Sequence, residues 1–214
     1  MQRRVEPELL DALPTDDPSA QRSRRELRLI NAIMGNHCWL AREMRRSVRP
    51  GWRVLELGAG EGTFGARLVS SGICEPRQLT GIDLALRPAA WPAGAAWMQG
   101  DVFAGALPEA EIVVANLFLH HFDPEALAQL GARLPAKCRI LLASEPARRR
   151  LHLAQGVLLS IFALLSRVTR HDMGISIRAG FLGDELPRAL GIGGWKCETS
   201  TTFVGAHRLR AVRP

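Results

Sequence analysis

The chain has no CxxC pair, no apolar run reaching the roughly 18 residues of a spanning helix, and no internal repeat in its 214 residues. Each absence removes a class of protein. Cys38, Cys74, Cys138 and Cys197 are far apart, which excludes a disulfide framework and a zinc-ribbon spacing and leaves buried free thiols as the expectation. No His or carboxylate pair has helical spacing beside a third ligand, so no metal is expected. Met1 to Leu10 is charged and lacks an apolar h-region; neither a secretory signal nor an anchor is expected, and a cytoplasmic location follows. What is present is ordinary for a folded protein, with 47% hydrophobic and 23% charged residues in a length that suits one α/β domain. The formal charge of +7 is nearly all arginine, clustered at Arg22 to Arg28, Arg42 to Arg49, Arg148 to Arg150 and Arg208 to Arg213. Such a balance suits anionic partners, but its spread along the chain reads as solvated helix faces and a basic tail, and no nucleic-acid partner is expected.

Residues Glu6 to Pro18 hold three prolines and several acids and read as an extended lead-in. Leu27, Ile30, Ile33 and Met34 recur at helical spacing behind a cap at Asp17 or Ser19, and Gly35-Asn36 separates this helix from a second over His37 to Val48. Residues 1–48 thus form a helical lead-in and cap, and 49–214 the main domain. From Arg53 onward, short aliphatic runs alternate with amphipathic stretches, the pattern of βαβ units and a parallel sheet. Strands are predicted at Arg53 to Leu57, Gln78 to Asp83, Ala96 to Gln99, Ile112 to Asn116 and Arg139 to Ala143. Helices are predicted at Thr63 to Ser71, near Pro88 and at Pro124 to Leu134. Trp195 to Thr202 and His207 to Val212 follow with no long helix between them, so they pair antiparallel. Leu151 to Leu165 is the most apolar stretch, but it contains His152, Gln155 and Ser160 and is too short to span a bilayer. It reads as a helix over a substrate cavity, with a core helix and weak peripheral membrane contact as the alternatives.

The run Val54-Leu-Glu-Leu-Gly58-Ala-Gly60-Glu-Gly62-Thr63 puts a buried strand before a glycine turn that opens a helix. Glycines let the backbone approach a ligand closely there. Position 63 is threonine, so the GxGxxG dinucleotide fingerprint fails and NAD fits poorly. The run resembles the first motif of the class I S-adenosylmethionine (SAM) dependent methyltransferases, (V/L)LE(L/I)GxGxG, without departure. Asp83, closing the second strand, and Gly100-Asp101-Val102 after the third fall where that family places acids. The resemblance covers about Arg46 to Pro214. It implies an α/β, Rossmann-like three-layer sandwich with seven strands in the order 3-2-1-4-5-7-6, the last antiparallel, and a helical substrate lid. It further implies that SAM is the cofactor, with Asp83 on the ribose hydroxyls and Leu84 beside it. Asp101 and Val102 would meet the adenine, Glu56 the methionine end, and Gly58, Ala59, Gly60 and Asn116 would line the cleft.

After the fourth strand, Asn116-Leu-Phe-Leu-His120-His121-Phe122-Asp123 replaces the (D/N)PP(Y/F) motif of methyltransferases that act on planar nitrogens. This points to an oxygen or carbon of a small molecule. Pro7 to Asp11 and Leu29 to His37 resemble the front end of bacterial small-molecule methyltransferases of the ubiquinone and menaquinone group, which implies an aromatic or lipophilic acceptor of the phenol, polyketide or quinol type. His120 and His121 are the candidate bases, since histidine takes a proton near neutral pH. Arg170 to Phe181 reads as a polar lid in which His171 or Arg178 holds an acceptor oxyanion, or as a solvated loop whose arginine pairs with Asp184 or Glu185. An RNA or protein methyltransferase, and a partner-binding protein on the same fold, are the competing readings. Oligomeric state is not legible.

Overall fold

The structure, a computed structural model, describes residues 1–14 and 16–214. Its strands are β1 (Val54–Leu57), β2 (Leu79–Asp83), β3 (Ala96–Gln99), β4 (Ile112–Asn116), β5 (Ile140–Pro146), β6 (Lys196–Thr201) and β7 (Ala206–Val212). They form one sheet in the order β3-β2-β1-β4-β5-β7-β6, the order that the resemblance implies. β3 through β5 run parallel, and β7 alone is reversed between β5 and β6. The helices are α1 (Leu9–Ala12), α2 (Pro18–Met34), α3 (Asn36–Ser47), α4 (Thr63–Ser70), α5 (Pro124–Ala132), α6 (Arg150–Phe162), α7 (Arg167–Ala179) and α8 (Glu185–Ala189).

The period of two along a strand builds the three layers. Leu55, Leu57, Val113, Ala115, Leu141 and Ala143 point to one face, where Leu127 and Leu130 of α5 and Leu186 of α8 cover them. Val54, Ile112, Val114, Ile140 and Leu142 point to the other, against Leu40 and Met44 of α3 and Phe64 and Leu68 of α4. The helical front end therefore shares the main core. Asp17 caps α2 by accepting from Ser19 N and Ala20 N at 2.7 and 3.3 Å, with Pro18 in the first turn. Gly35, at φ +66°, ends α2 and begins α3 at a left-handed break.

Four local expectations are corrected. The lead-in is tied down: Arg3 Nε donates to Ala179 O at 2.7 Å and its guanidinium lies over the Phe181 ring, while Leu9 N and Leu10 N donate to the two Asp172 carboxylate oxygens. Those contacts cap α1 from α7, a long-range event with no local sequence mark. No helix forms near Pro88; Pro88 and Pro92 interrupt the segment, and Trp91 instead packs beneath the glycine loop. Arg170 to Phe181 is mostly the helix α7, not a loop. Of the four cysteines, only Cys74 and Cys138 are buried, and Cys38 is exposed.

Gly131 reverses an ordinary preference. Alanine normally exceeds glycine inside a helix by about 1 kcal/mol. A Cβ at Gly131, however, would stand 1.8 Å from the Leu190 carbonyl oxygen where α5 meets α8. Gly131→Ala is expected to lower the melting temperature, read by circular dichroism; an unchanged or higher value would mean that this contact is not close-packed.

Candidate active site

The glycine loop turns by three left-handed residues, Gly58 (φ +62°), Gly60 (φ +52°) and Gly62 (φ +72°). Gly58 is also required by packing, because a Cβ there would lie 2.1 Å from the Phe118 ring. Beneath the loop, Trp91 fills the space a Cβ would occupy at Gly65 and Gly81, and its indole N–H donates to Ala96 O at 3.1 Å. Asp83 closes β2 beside the loop: one oxygen accepts from Gly60 N at 2.8 Å and the other from Ala85 N at 2.9 Å. Leu84 follows it and is 72% exposed, an apolar side chain held out over the same end of the sheet. Asp101 is exposed, with one oxygen on Phe103 N at 2.9 Å, and Val102 is buried behind it. Ala59 is buried, and its N–H donates to Ile82 O.

Glu56 sits lower than the others, 3% exposed under the first turn of α4, with Oε2 lacking a hydrogen-bond partner among the described residues. Burial, reinforced by the nearby Asp83 charge, pushes its carboxyl up to about 8. Glu56 is thus a neutral acid at neutral pH in this state. Asn116, at the end of β4, places Nδ2 3.4 Å from His37 Nε2 and leaves Oδ1 buried without a partner. Burial, with a contribution from Arg67, drives His37 down to about 4, so its ring is neutral.

The loop after β4 is held by a residue the sequence did not mark. Leu117 takes the left-handed conformation (φ +52°), which turns the next three N–H groups inward. Phe118 N, Leu119 N and His120 N all donate to the Glu145 carboxylate at 3.1, 3.0 and 3.3 Å, and His120 Nδ1 lies 2.8 Å from its Oε2. On the other side of the ring, His120 Nε2 faces Glu8 Oε1 at 3.5 Å, and Glu8 is itself bonded to the Ser176 hydroxyl. Burial opposes charge on His120, but its bonds to Glu145 and Glu8 outweigh it and raise the ring to about 9. Burial and the His120 charge push His121 the other way, below its ordinary value. The two rings stack with centroids 4.2 Å apart, and His121 Nδ1 is 3.8 Å from Asp11. Asp11 is in turn raised by burial and by the charges of Glu8, Asp172 and Asp83.

Glu8, His120 and His121 thus meet within 4.8 Å, a grouping invisible in sequence spacing because Glu8 is distant in the chain. His171 and Arg178 are not brought to this cluster: both are exposed on α7, His171 against Asp172 and Arg178 donating to Gly174 O at 3.0 Å. The partner of Glu185 is Arg148, buried and bonded to both of its oxygens, so Arg148 is not part of a solvated cluster.

No protein-family model and no curated protein sequence matches the chain. Solved structures do match. A plantazolicin methyltransferase, BamL, solved with a triazolic desmethylPZN analog and SAH, superposes with a TM-score of 0.67 at 13% identity, over 96% of this chain and 93% of its own. The pyocyanin biosynthetic protein PhzM gives 0.59 at 16% identity, over 94% of this chain and 60% of its own. Human N-acetylserotonin methyltransferase, solved with SAM, gives 0.55 at 16% identity, over 95% and 61%. The chain has the fold of the class I SAM-dependent methyltransferases.

Glu56 offers a test by pH. Its carboxyl ionises near 4.5 when unfolded but near 8 when folded, so the fold holds an extra proton between these values and loses stability as pH rises through that window. Glu56→Gln removes the group that ionises. The variant is expected to melt higher than the parent at pH 8, by at least about 2–4 °C, and to flatten the decline above pH 5; parallel curves would show that Glu56 is ionised in the folded state.

Proposed function

We propose that the chain is a SAM-dependent methyltransferase that transfers a methyl group to an oxygen or carbon of a small aromatic or lipophilic acceptor. The observation that carries this reading is the glycine loop whose Gly60 N–H is tied to Asp83, on the fold described above. Each Asp83 oxygen already accepts one backbone N–H and retains a second lone pair, the arrangement a ribose diol needs. Leu84 supplies an apolar surface for the adenine, with Asp101 and Val102 beside it, and Gly58 and Ala59 line the methionine path. Glu56 Oε2 and Asn116 Oδ1, buried and unpartnered, are the acceptors nearest the loop for polar groups of that end.

When bound, SAM supplies an electrophilic methyl on a sulfonium, so the protein's work is alignment and, for a hydroxyl acceptor, removal of one proton. His121 takes that proton in this proposal, because it is neutral and partly exposed. His120, held charged between two carboxylates, is a positioning residue that fixes the loop and the His121 ring. Residues 1–48 act as a cap on the same unit, bringing Asp11 and Glu8 over the cleft.

Charge distribution favours a small acceptor over a nucleic acid. Arg46, Arg49, Arg139, Arg210 and Arg213 line a cavity of about 520 Å³ at the amino ends of the strands, remote from the glycine loop. At the carboxyl ends the acids that reach solvent are Asp11, Asp83 and Asp101, while Glu8, Glu145 and Asp172 are buried in hydrogen bonds. A polyphosphate would meet like charge there.

Two outcomes are expected. Asp83→Ala is expected to weaken SAM binding by roughly 100-fold, the loss of about 3 kcal/mol of charged hydrogen bonding; near-parental affinity by calorimetry would remove Asp83 from the site. With a phenol that is turned over, kcat is expected to rise with pH to an inflection below 6.5, set by His121. An inflection near 9 would transfer the base to His120.

A further inference from the structure

α6 is built inside out. Leu151, Ala154, Val157, Leu158, Ile161 and Phe162 are its exposed residues after Arg150, and they fall on one face at helical spacing. The opposite, buried face carries His152 and Gly156, which meet Ala147 O and the Met173 side chain. A surface helix ordinarily turns its polar residues to water, so an outward stripe this apolar is a partner site. The stripe continues past the helix end: Leu164 is 77% exposed and stands in the left-handed conformation (φ +47°), which glycine or asparagine would adopt at lower cost. Its carbonyl accepts from Arg22 at 2.7 Å, holding that turn in place. At the other end, the tip of the β6–β7 hairpin adds exposed Phe203 and Val204, and the neighbouring Gly205 lies against the His152 ring.

Charge identifies the partner. Between Ala147 and His171 there are five arginines and no acid. Arg149 and Arg150 flank the stripe on one side and Arg167 and Arg170 on the other; all four are exposed, and none forms an ion pair among the described residues. A second copy on this face would oppose these arginines with the same arginines, at a net charge of +7 on each chain. No helix among the described residues is long and apolar enough to cross a membrane. We propose that α6, Leu164 and the Phe203 hairpin tip form an interfacial docking face for an anionic phospholipid bilayer, with the apolar stripe in the acyl boundary and the four arginines at the headgroups. The inward side of α6 belongs to the same apolar cluster as Leu117 of the active-site loop, through Leu159 and Ala163. Docking would therefore bring the acceptor end of the cleft to the surface where lipophilic acceptors partition.

Co-sedimentation of the full chain, without SAM, tests this independently of the cofactor reading. The parent is expected to pellet with vesicles of equal parts phosphatidylcholine and phosphatidylglycerol, and far less with phosphatidylcholine alone. Ile161→Glu with Phe162→Glu is expected to lower that partitioning about tenfold or more with the melting temperature kept. Arg149→Gln with Arg150→Gln, which leaves the apolar stripe intact, is expected to reduce anionic binding severalfold and to blunt its salt dependence. Parent protein left in the supernatant with both vesicles, or bound equally to both, would overturn the proposal. So would a parent dimer in analytical ultracentrifugation that the Ile161→Glu and Phe162→Glu pair dissociates.

Discussion

The functional end of this molecule is organised around one fully buried carboxylate. Glu145, near the end of β5, accepts three consecutive backbone N–H groups from the loop after β4 and a fourth bond from His120. A charge withdrawn from water persists only where such donors replace its hydration, so the loop has one conformation that satisfies it. That conformation seats Phe118 on Gly58, stacks His121 on His120 and aims the free side of the His120 ring at Glu8. Loop geometry, histidine protonation and docking of the amino-terminal segment thus follow from a single ionic arrangement.

The two halves of the site are built by different physics. Around the glycine loop, glycines permit close approach and strand ends present carboxylates, so the constraints are steric and local: Gly58 and Gly60 make room, and Asp83 ties the turn. Around His120 the constraints are electrostatic and long-range. Asp172 in α7 caps α1, Glu8 just before α1 meets His120, and Ser176 of α7 bonds Glu8, so two segments distant in sequence close over one imidazolium. Buried polar networks of this kind fix one arrangement because every alternative leaves a charge unpaired.

This division explains what could be read from the sequence. The strand positions, the antiparallel last pair and the glycine turn were legible because alternation, length and a contiguous motif carry them, and the strand order followed from the family resemblance that this motif carries. Val54 to Gly62 matches a nine-residue pattern without a gap. Glu145, Glu8 and Trp91 were not legible, since each acts through a partner that only the fold supplies. Pro88 looked like a helix start, and the proline at 92 together with the insertion of Trp91 under Gly65 and Gly81 prevented one. His171 and Arg178 seemed to belong to a polar lid; helical periodicity across Arg167–Ala179 instead leaves both outside, while Asp172, one residue from His171, turns inward. The apolar stretch 151–165 was recognised as a helix, but only burial revealed that its apolar side faces out.

The central claim is that the cleft between the glycine loop and Asp83 receives SAM. Calorimetric titration of the parent protein with SAM, with its demethylated product and with NADH tests it most directly. The account predicts one-to-one binding of the first two with affinity on the order of micromolar and none of NADH; a folded protein that binds neither SAM nor its product would contradict it.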